Sequence, residues 1–521
     1  MNQSMRTLVM VVAGVAVYSS AALADPPAQP RVMHANAVAS PANKRPGVIP
    51  DVAHEHMEIR KPELPGGGGG GGRGGGGGSW TDAALQTSYP ASFAASLLTS
   101  TDGIPADGVI PPDANVAVGD TQVVEVVNTE YAVFDKTGTM LQAPQPIHTV
   151  FTGLGGMCET QDGGDPVVLF DQLAHRWFVS QLEYNADFSQ NLLCTAVSTT
   201  ADAMGGYVLY EWDFGNNLPD YPKIGLWPDA YYFSANMFWS GAIFLNAEAC
   251  AFDRNAMING QPAIGVCFSS SSPTLLPASL DGSTLPNAGA PGLYLRNASN
   301  ALALYRFHVD FTNINNSTFR SVSVPVQAFH LACGNGGTCI PQPGTTQQLD
   351  SLGDRLMFRL SYRRFATYES LIVNHSVQVR STSTQVAPRW YEIRNPFGTP
   401  AVAQQSTFAP DTTRYRWMGA VGQDKQGNLL LGYSASSASL FPSIGYAGRL
   451  ATDPANQLSS EFLSFFGTGS QTGYARWGDY TSMAVDPVDD CTFWFVGEYL
   501  VTAGSFNWHT RLESLKFPGC Q

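Results

Sequence analysis

The chain has 521 residues, of which 44% are hydrophobic and only 13% are charged, and its formal net charge is −14. Helical bundles and coiled coils are excluded, because they need many more Glu, Lys and Arg residues at helical spacing. The negative charge argues against a nucleic-acid-binding protein, since phosphates require a basic surface.

The first 24 residues have the pattern of a secretory signal peptide. Arg6 supplies a positive charge, Thr7 to Val17 is an apolar run too short to span a bilayer, and Ala22-Leu23-Ala24 is a small-x-small cleavage site. The mature chain is therefore expected to begin at Asp25 and to be secreted, whether extracellular, at the cell surface or in the periplasm. No later segment is apolar for long enough to predict insertion into a membrane.

Residues 25–79 have the composition of a flexible linker, rich first in Pro and Ala and then in Gly. Between Gly66 and Gly78 every residue except Arg73 is Gly, and such a tract loses too much backbone entropy on ordering to fold by itself. From residue 80 onward, short apolar runs alternate with clusters of Gly, Asn, Asp and Pro. Residues 80–521 are therefore predicted to form one all-β domain.

A hairpin pattern recurs along this domain at a step of about 60 residues. An apolar run ends in an acidic turn residue and a second apolar or aromatic run follows, most clearly at Asp171, Asp424 and Asp486. Each acidic side chain is expected to cap backbone N–H groups of its turn. Seven such units predict a seven-bladed β-propeller, with six or eight blades as open alternatives, because radial closure of four-stranded blades leaves few exposed edges.

Eight cysteines follow the predicted cleavage site, and an even number in an oxidising compartment favours disulfides over metal thiolates. Joining nearest neighbours in sequence is the simplest of many possible arrangements. It pairs Cys158 with Cys194, Cys250 with Cys267, Cys333 with Cys339, and Cys491 with Cys520.

Three stretches of the domain resemble a known group of proteins. They are Gly164–Val168 with Arg176-Trp177, Tyr221–Tyr232, and Arg476–Pro487. Together they resemble secreted bacterial propeller-like proteins without an assigned activity, over most of residues 110–500. The resemblance implies the fold and the export, and it transfers no catalytic residue. There is also a generic likeness to sialidase-type propellers, although their Asp-box, S-x-D-x-G-x-T-W, does not occur and only Asp424–Asn428 echoes part of it.

The residues just before each inner strand of a propeller are expected to share one rim of the central channel. Carboxylates there could cleave glycosides as an acid–base or acid–nucleophile pair, arginines could hold a carboxylate, and aromatic rings could stack on sugars. The candidate catalytic residues are Asp165, Asp229, Asp354 and Asp479. The candidate ligand-binding residues are Arg355, Arg416, Arg476, Trp227, Trp417, Trp477 and Tyr480.

These features support two hypotheses. The favoured one is a secreted, non-catalytic and monomeric propeller that binds a glycan or a protein ligand at this rim. The alternative is an extracellular carbohydrate-active enzyme, a glycoside hydrolase or lyase, that uses the rim carboxylates. No H-E-x-x-H, G-x-S-x-G or P-loop motif occurs, so no cofactor is expected, although acidic turns such as Asp486–Asp490 could hold a structural Ca²⁺.

Overall fold

The computed structural model describes residues 29–41, 57–58, 62, 64, 79–90 and 95–521. The predicted signal peptide and the Gly tract of the predicted linker lie outside the described residues. The described part is all-β, as predicted, with only short helices. None of these helices is long and apolar enough to span a membrane.

Five strands precede the first repeat unit. They are β1 (Arg31–Ala35), β2 (Val38–Ala39), β3 (Met57–Glu58), β4 (Ser96–Pro105) and β5 (Val109–Ile110).

Three four-stranded antiparallel meanders come next. The first is β6 (Asn115–Val118), β7 (Gln122–Val127), β8 (Glu130–Asp135) and β9 (Met140–Pro146). The second, after the helix α1 (Gly156–Thr160), is β10 (Val167–Asp171), β11 (Arg176–Tyr184), β12 (Asn191–Ser198) and β13 (Tyr207–Asp213). The third is β14 (Asn217–Leu226), β15 (Ala230–Trp239), β16 (Ile243–Asp253) and β17 (Ala263–Ser270), with α2 (Arg254–Ile258) before its last strand.

Four further units complete the described chain. The fourth is β18 (Leu276–Asp281), β19 (Gly292–Ala298), β20 (Ala301–His308) and β21 (Thr318–Pro325). A long loop then carries β22 (His330–Leu331), α3 (Cys333–Gly336), β23 (Thr338–Ile340) and β24 (Leu349–Asp350). The fifth is β25 (Met357–Arg364), β26 (Glu369–Arg380), β27 (Ser383–Arg394) and β28 (Ala401–Thr407). The sixth is β29 (Tyr415–Gln423), β30 (Leu429–Ser437), β31 (Leu440–Arg449) and β32 (Phe462–Phe465). The seventh is β33 (Met483–Val485), β34 (Thr492–Leu500) and β35 (Trp508–Lys516).

The fourth strand of the seventh unit comes from the other end of the chain. Strand β4 pairs antiparallel with β35, from Ser96 opposite Lys516 to Pro105 opposite His509. This pairing fills the outer edge of the last sheet and joins the first part of the domain to the last.

The first strands of the seven units contact one another in a closed cycle. Strand β6 contacts β10, and the contacts continue through β14, β18, β25, β29 and β33 back to β6. The core lies between the faces of neighbouring sheets, where aromatic rings such as Trp212 and Phe252 stack with centroids 4.1 Å apart. Two of these first strands, β18 and β25, also pair in parallel, so the fourth and fifth units share one sheet and the amino ends of both strands lie at the same end of the cycle.

The acidic residues at the carboxyl ends form the turns that the sequence predicts. Asp171 Oδ1 accepts the backbone N–H groups of Leu173 and Ala174, at 3.0 and 3.1 Å. Asp424 and Asp486 accept N–H groups of their own turns in the same way. The prediction that these side chains cap the turns is confirmed.

Part of the predicted linker forms strands. Strand β1 pairs antiparallel with β17 and β2 pairs with β13, and the side chains of Met33 and Ala35 are buried. Residues 29–41 therefore extend two sheets of the domain, which corrects the expectation of a flexible linker for this stretch. The pattern Arg31–Ala35 alternates outward and inward side chains, and this short alternation is concealed by the Pro- and Ala-rich composition around it.

Four disulfides join the cysteines, and the structure describes no free cysteine. The pairs are the nearest neighbours in sequence, as predicted. Disulfides persist in oxidising compartments, so this framework is typical of an extracellular or periplasmic protein.

Candidate functional site

A group of charged and aromatic side chains gathers at the amino ends of the first strands. We call it the central cluster and define it by Asp113, Asp165, Asp220, Tyr221, Lys223, Asp354, Arg355, Arg476, Asp479 and Tyr480. Asp165, Asp354, Arg355, Arg476, Asp479 and Tyr480 are among the rim residues that the sequence predicts. The structure therefore brings six of the eleven candidates together.

The backbone takes the same left-handed conformation before several of these strands and at the irregularity inside β14. Asp113, Asp165, Tyr221 and Thr274 have φ angles of 50°, 51°, 57° and 58°, in the left-handed region that is uncommon for residues other than glycine. This conformation directs polar side chains of successive units toward the central cluster.

Asn128 is the centre of a chain of hydrogen bonds that links four units. Its Nδ2 donates to Asp113 Oδ2 at 2.9 Å, and its Oδ1 accepts the backbone N–H of Asp165 at 2.7 Å. Asp165 Oδ2 accepts the N–H of Tyr221 at 3.0 Å, and Asp113 Oδ1 accepts the N–H of Asp479 at 2.6 Å. The carboxylates of Asp113 and Asp165 therefore hold neighbouring backbone segments in place.

Lys223 is completely buried between two tyrosine rings. Its Nζ lies 3.6 Å from the ring centroid of Tyr221 and 3.7 Å from that of Tyr480, and it donates to the carbonyl of Pro222 at 2.9 Å. Burial lowers the pKa of Lys223 to about 8, although the nearby Asp165 carboxylate opposes this change. The lysine is thus an internal cation held by ring faces and carboxylates.

The two arginines of the central cluster are paired with carboxylates next to them in sequence. Arg476 Nη2 donates to Asp479 Oδ1 at 2.5 Å. Arg355 holds Asp354 through Nε at 2.8 Å and Nη2 at 3.0 Å, and its guanidinium carbon lies 4.6 Å from the ring centroid of Tyr221. Two of the predicted catalytic carboxylates are therefore occupied by arginines.

Acids outnumber bases in the central cluster, and this changes their protonation. Burial raises the pKa of Asp113 well above its usual range, and the carboxylates of Asp479 and Asp165 raise it further. The same three causes, burial first, raise the pKa of Asp220. Both shifts favour the protonated form of these carboxyl groups over the charged form.

Two long loops supply part of the cluster and meet each other. Residues 326–356 lead into β25 and residues 466–482 lead into β33. Gln342 Nε2 donates to the carbonyl of Gln471 at 3.0 Å, and the backbone N–H of Asp350 donates to the carbonyl of Ala475 at 2.8 Å. The loops help to shield the cluster, in which Asp165 and Asp479 are each only 5% exposed.

Trp227 and Asp229 lie at the opposite end of the third unit, so they do not join the central cluster. The Trp227 indole donates to the carbonyl of Ala290 at 3.1 Å, and Asp229 Oδ2 accepts the Tyr232 hydroxyl at 3.3 Å. Burial raises the pKa of Asp229 to about 6. The prediction that these two residues precede an inner strand is wrong, because they follow β14, the first strand of the unit, and so lie at its carboxyl end.

Arg416 and two predicted stacking residues are part of the core. Arg416 has no exposed side-chain area and donates to Glu461 through Nε at 2.6 Å and Nη2 at 2.9 Å, and it also pairs with Asp411. The rings of Trp417 and Trp477 lie 5.8 Å apart and are buried. These three side chains are not exposed to a ligand in this structure.

A small cavity lies between the first strands, toward their carboxyl ends. Its volume is about 30 Å³, and its lining comes from five units, including Val116, Val168, Ser279, Arg359 and Ala484. This is room for about one water molecule. Arg359 Nη2 donates to Asp281 Oδ1 at 2.7 Å in the lining. The sequence gives no signal for this ion pair, because both residues lie in largely apolar strands.

The predicted calcium turn has cationic partners. Asp486 pairs with Lys136 at 2.8 Å, Asp489 with Lys516 at 3.0 Å, and Asp490 with Arg363 at 2.6 Å.

In the part of the chain that the structure describes, the side chains close enough together to hold a metal ion are Glu248, Cys250 and Cys267. The two sulfurs of this group are joined in a disulfide. The donor set therefore offers no thiolate, and a structural Ca²⁺ stays a prediction of the sequence.

Comparisons with known proteins show only weak likenesses. No family model and no curated protein matches the chain. One similar solved structure is a protein of unknown function from Dyadobacter fermentans DSM 18053, with 9% identity and a TM-score of 0.26, covering 81% of this chain and 99% of that one. Another is a Hadza microbial sialidase, with 9% identity and a TM-score of 0.23, covering 77% of this chain and 74% of the sialidase. At these values neither likeness bears on the function of this protein.

Proposed function

We propose that the seven units form a seven-bladed β-propeller and that the protein is an exported, non-catalytic binding protein for an extracellular glycan. The closed cycle of first strands supports the propeller arrangement, as does the pairing of β4 with β35, because a closing strand from the other terminus joins the ends of a ring. The signal-peptide pattern and the four disulfides support export.

The absence of catalysis rests on one observation, the internal pairing of the rim carboxylates. Glycosidases need two carboxyl groups that face the substrate, about 5–5.5 Å apart for retention or about 6.5–9.5 Å apart for inversion. Asp165 accepts a backbone N–H, Asp479 pairs with Arg476, and Asp354 pairs with Arg355. Carboxylates used in this way stabilise the domain and leave little surface for a sugar.

The size of the central cavity supports a ligand site outside the channel. A space of about 30 Å³ admits a water molecule and excludes a sugar ring. We therefore place glycan binding on the outer surface of the units and not in the channel.

One observation favours the alternative, a glycoside hydrolase or lyase. Buried carboxyl groups with raised pKa values are typical of active sites as well as of structural clusters. Asp220 is half-buried, and its pKa is raised by this burial and by the carboxylates of Asp165 and Asp479, which makes it the best general-acid candidate of the central cluster. An enzyme of this kind would lose activity in an Asp220→Asn variant.

A glycan array combined with a cleavage panel tests the proposal. The mature protein is applied to the array, with a reduced and alkylated sample as the control for fold-dependent binding. Each bound glycan is then incubated with the protein and its products are analysed by mass spectrometry. We expect fold-dependent binding of intact glycans, whereas binding of no glycan, or release of fragments, would contradict the proposal.

A further inference from the structure

Two arginines face each other on the outermost strand pair of the fourth unit. In the antiparallel pairing of β20 with β21, Arg306 lies opposite Arg320 and His308 lies opposite Thr318. Cross-strand partners point to the same side of a sheet, and like charges directly opposite each other destabilise it. The alternate residue Phe307 is buried on the other side, where its ring contacts Phe268. The positive charges are thus concentrated on the side of the sheet that faces away from this aromatic contact.

These side chains line a groove of about 320 Å³, which we call the cationic groove. Its lining includes Pro291, Arg306, His308, Thr318, Arg320 and Ser321. The volume is within the range of small-molecule sites, which begins at about 300 Å³. An anionic sugar can bind such a lining, because the arginines attract its charge, a hydroxyl group can hydrogen-bond to it and the Pro291 ring offers an apolar surface.

The neighbouring unit holds one arginine of the groove in position. Arg306 Nε donates to the carbonyl of Pro396 at 2.8 Å, and its Nη2 donates to the carbonyl of Gly398 at 2.5 Å. Both acceptors belong to the loop between β27 and β28. These bonds fix the guanidinium without neutralising it, because backbone carbonyls carry no net charge.

The arginines of the cationic groove form no ion pair in the described part of the chain, whereas His308 interacts electrostatically with the carboxylates of Asp229 and Asp310. No carboxylate there forms an ion pair with Arg306, His308 or Arg320, although most other described arginines are paired. The nearby Asp310 carboxylate accepts backbone N–H groups of its own turn and the side-chain amide of Asn316. The net charge of the protein is −14, so two arginines in one groove without an ion-pair partner among the described residues distinguish this surface from the rest of the protein.

We propose that the cationic groove binds the carboxylate or sulfate group of an acidic saccharide. The inference rests on the proposed glycan-binding function and names the class of glycan. The guanidinium groups form charge-assisted hydrogen bonds to the anion, and the hydroxyl group of Thr318, on the same side of the sheet, binds a sugar hydroxyl. Binding of the anion also relieves the repulsion between Arg306 and Arg320.

Titration calorimetry of the mature protein tests this proposal. The ligands are an oligogalacturonate, its fully methyl-esterified form as the uncharged control, and a sulfated oligosaccharide. We expect the two anionic ligands to bind, more weakly as the salt concentration rises, and the ester to bind at least tenfold more weakly than the acid.

The variant Arg320→Ala removes one exposed guanidinium, and Lys425→Ala is a matched loss of an exposed charge in the turn between β29 and β30. We expect Arg320→Ala to weaken binding of an anionic ligand at least tenfold and Lys425→Ala to leave it unchanged. Unchanged circular dichroism and melting temperature confirm the folding of both variants.

Three results would overturn the inference: no binding of either anionic ligand, equal binding of acid and ester, or undiminished binding by Arg320→Ala. If neutral glycans bind as tightly as acidic ones, the assignment of the cationic groove as an anion site is wrong, whereas the proposed glycan-binding function is retained. If a saccharide is bound through Arg320 and then cleaved, the anion site stands and the non-catalytic function is wrong.

Discussion

Arg416 gives the sharpest test of the view that the conspicuous charges of this domain are structural. The sequence places it on a ligand-binding rim, whereas the structure buries it completely against Glu461 and Asp411. Its neighbour Arg414 reaches the same Glu461 carboxylate at 2.5 Å but is 39% exposed. The substitutions Arg416→Met and Arg414→Met therefore compare a buried arginine and an exposed arginine that share one partner.

The expected magnitudes follow from burial. Removing one partner of a buried ion pair costs about 3–5 kcal/mol when the other charge is left unpaired. Because Arg414 still pairs with Glu461 and Asp411 is 33% exposed, Arg416→Met should lower the free energy of unfolding by about 3 kcal/mol, the lower end of this range. An exposed pair contributes at most about 1 kcal/mol, so Arg414→Met should stay within that limit. The two variants should thus differ by at least about 2 kcal/mol.

The effect should also depend on pH. Although burial opposes it, the backbone N–H of Arg414 and the guanidinium of Arg416 lower the pKa of Asp411 to about 2. A carboxyl group with a lowered folded-state pKa stabilises the protein above its unfolded-state pKa and loses that contribution as the pH falls through the folded-state value. The difference between the parent protein and Arg416→Met should be constant above about pH 5 and shrink between about pH 4 and pH 2.

Urea denaturation followed by tryptophan fluorescence measures these differences, and glycan binding is measured in parallel at low urea. Equal and small losses for both variants would refute the reasoning from burial. A stable Arg416→Met protein that no longer binds glycan would show that Arg416 is a ligand-binding residue after all.

Three further predictions concern other parts of the domain. Burial raises the pKa of Glu183 to about 9, so the parent protein should lose stability as the pH rises from about 4.5 to about 9, and Glu183→Gln should be more stable by about 3 kcal/mol at pH 7 in urea titrations. Replacing Cys491 and Cys520 together by serine opens a disulfide with a sequence separation of 29 residues and should cost about 3 kcal/mol by the same assay, an effect that equal urea midpoints would exclude. Deleting residues 29–41 should lower the melting temperature in calorimetry, because β1 and β2 are lost, whereas deleting residues 66–78 should leave it unchanged, and equal effects of the two deletions would contradict the edge-strand assignment.

The sequence predicts well what depends on nearby residues. The acidic caps at Asp171 and Asp424 need only the next few N–H groups, and the disulfides join cysteines that are neighbours along the chain. The strand content follows from the short apolar runs between turn residues for the same reason. These features depend on residues that are close together or consecutive of their kind along the chain.

Long-range contacts decide the features for which the sequence-based prediction is wrong. Strand β14 contains Pro219, Pro222 and Gly225 and a register shift after Asp220, so its sequence is atypical of a strand, although tertiary pairing with β15 makes it one. The burial of Arg416 depends on Glu461, which lies 45 residues further along the chain. No local sequence pattern predicts the pairing of β14 with β15 or the ion pair of Arg416 with Glu461.

A reducing-end assay on a glycan that the protein binds tests the central claim most directly. The mature protein and the variants Asp220→Asn and Asp479→Asn are incubated with saturating glycan for many hours. The account predicts no product above the protein-free control for any of the three samples. Repeated turnover by the parent protein that is lost in Asp220→Asn or Asp479→Asn would contradict it, because the carboxylates of the central cluster would then act on substrate.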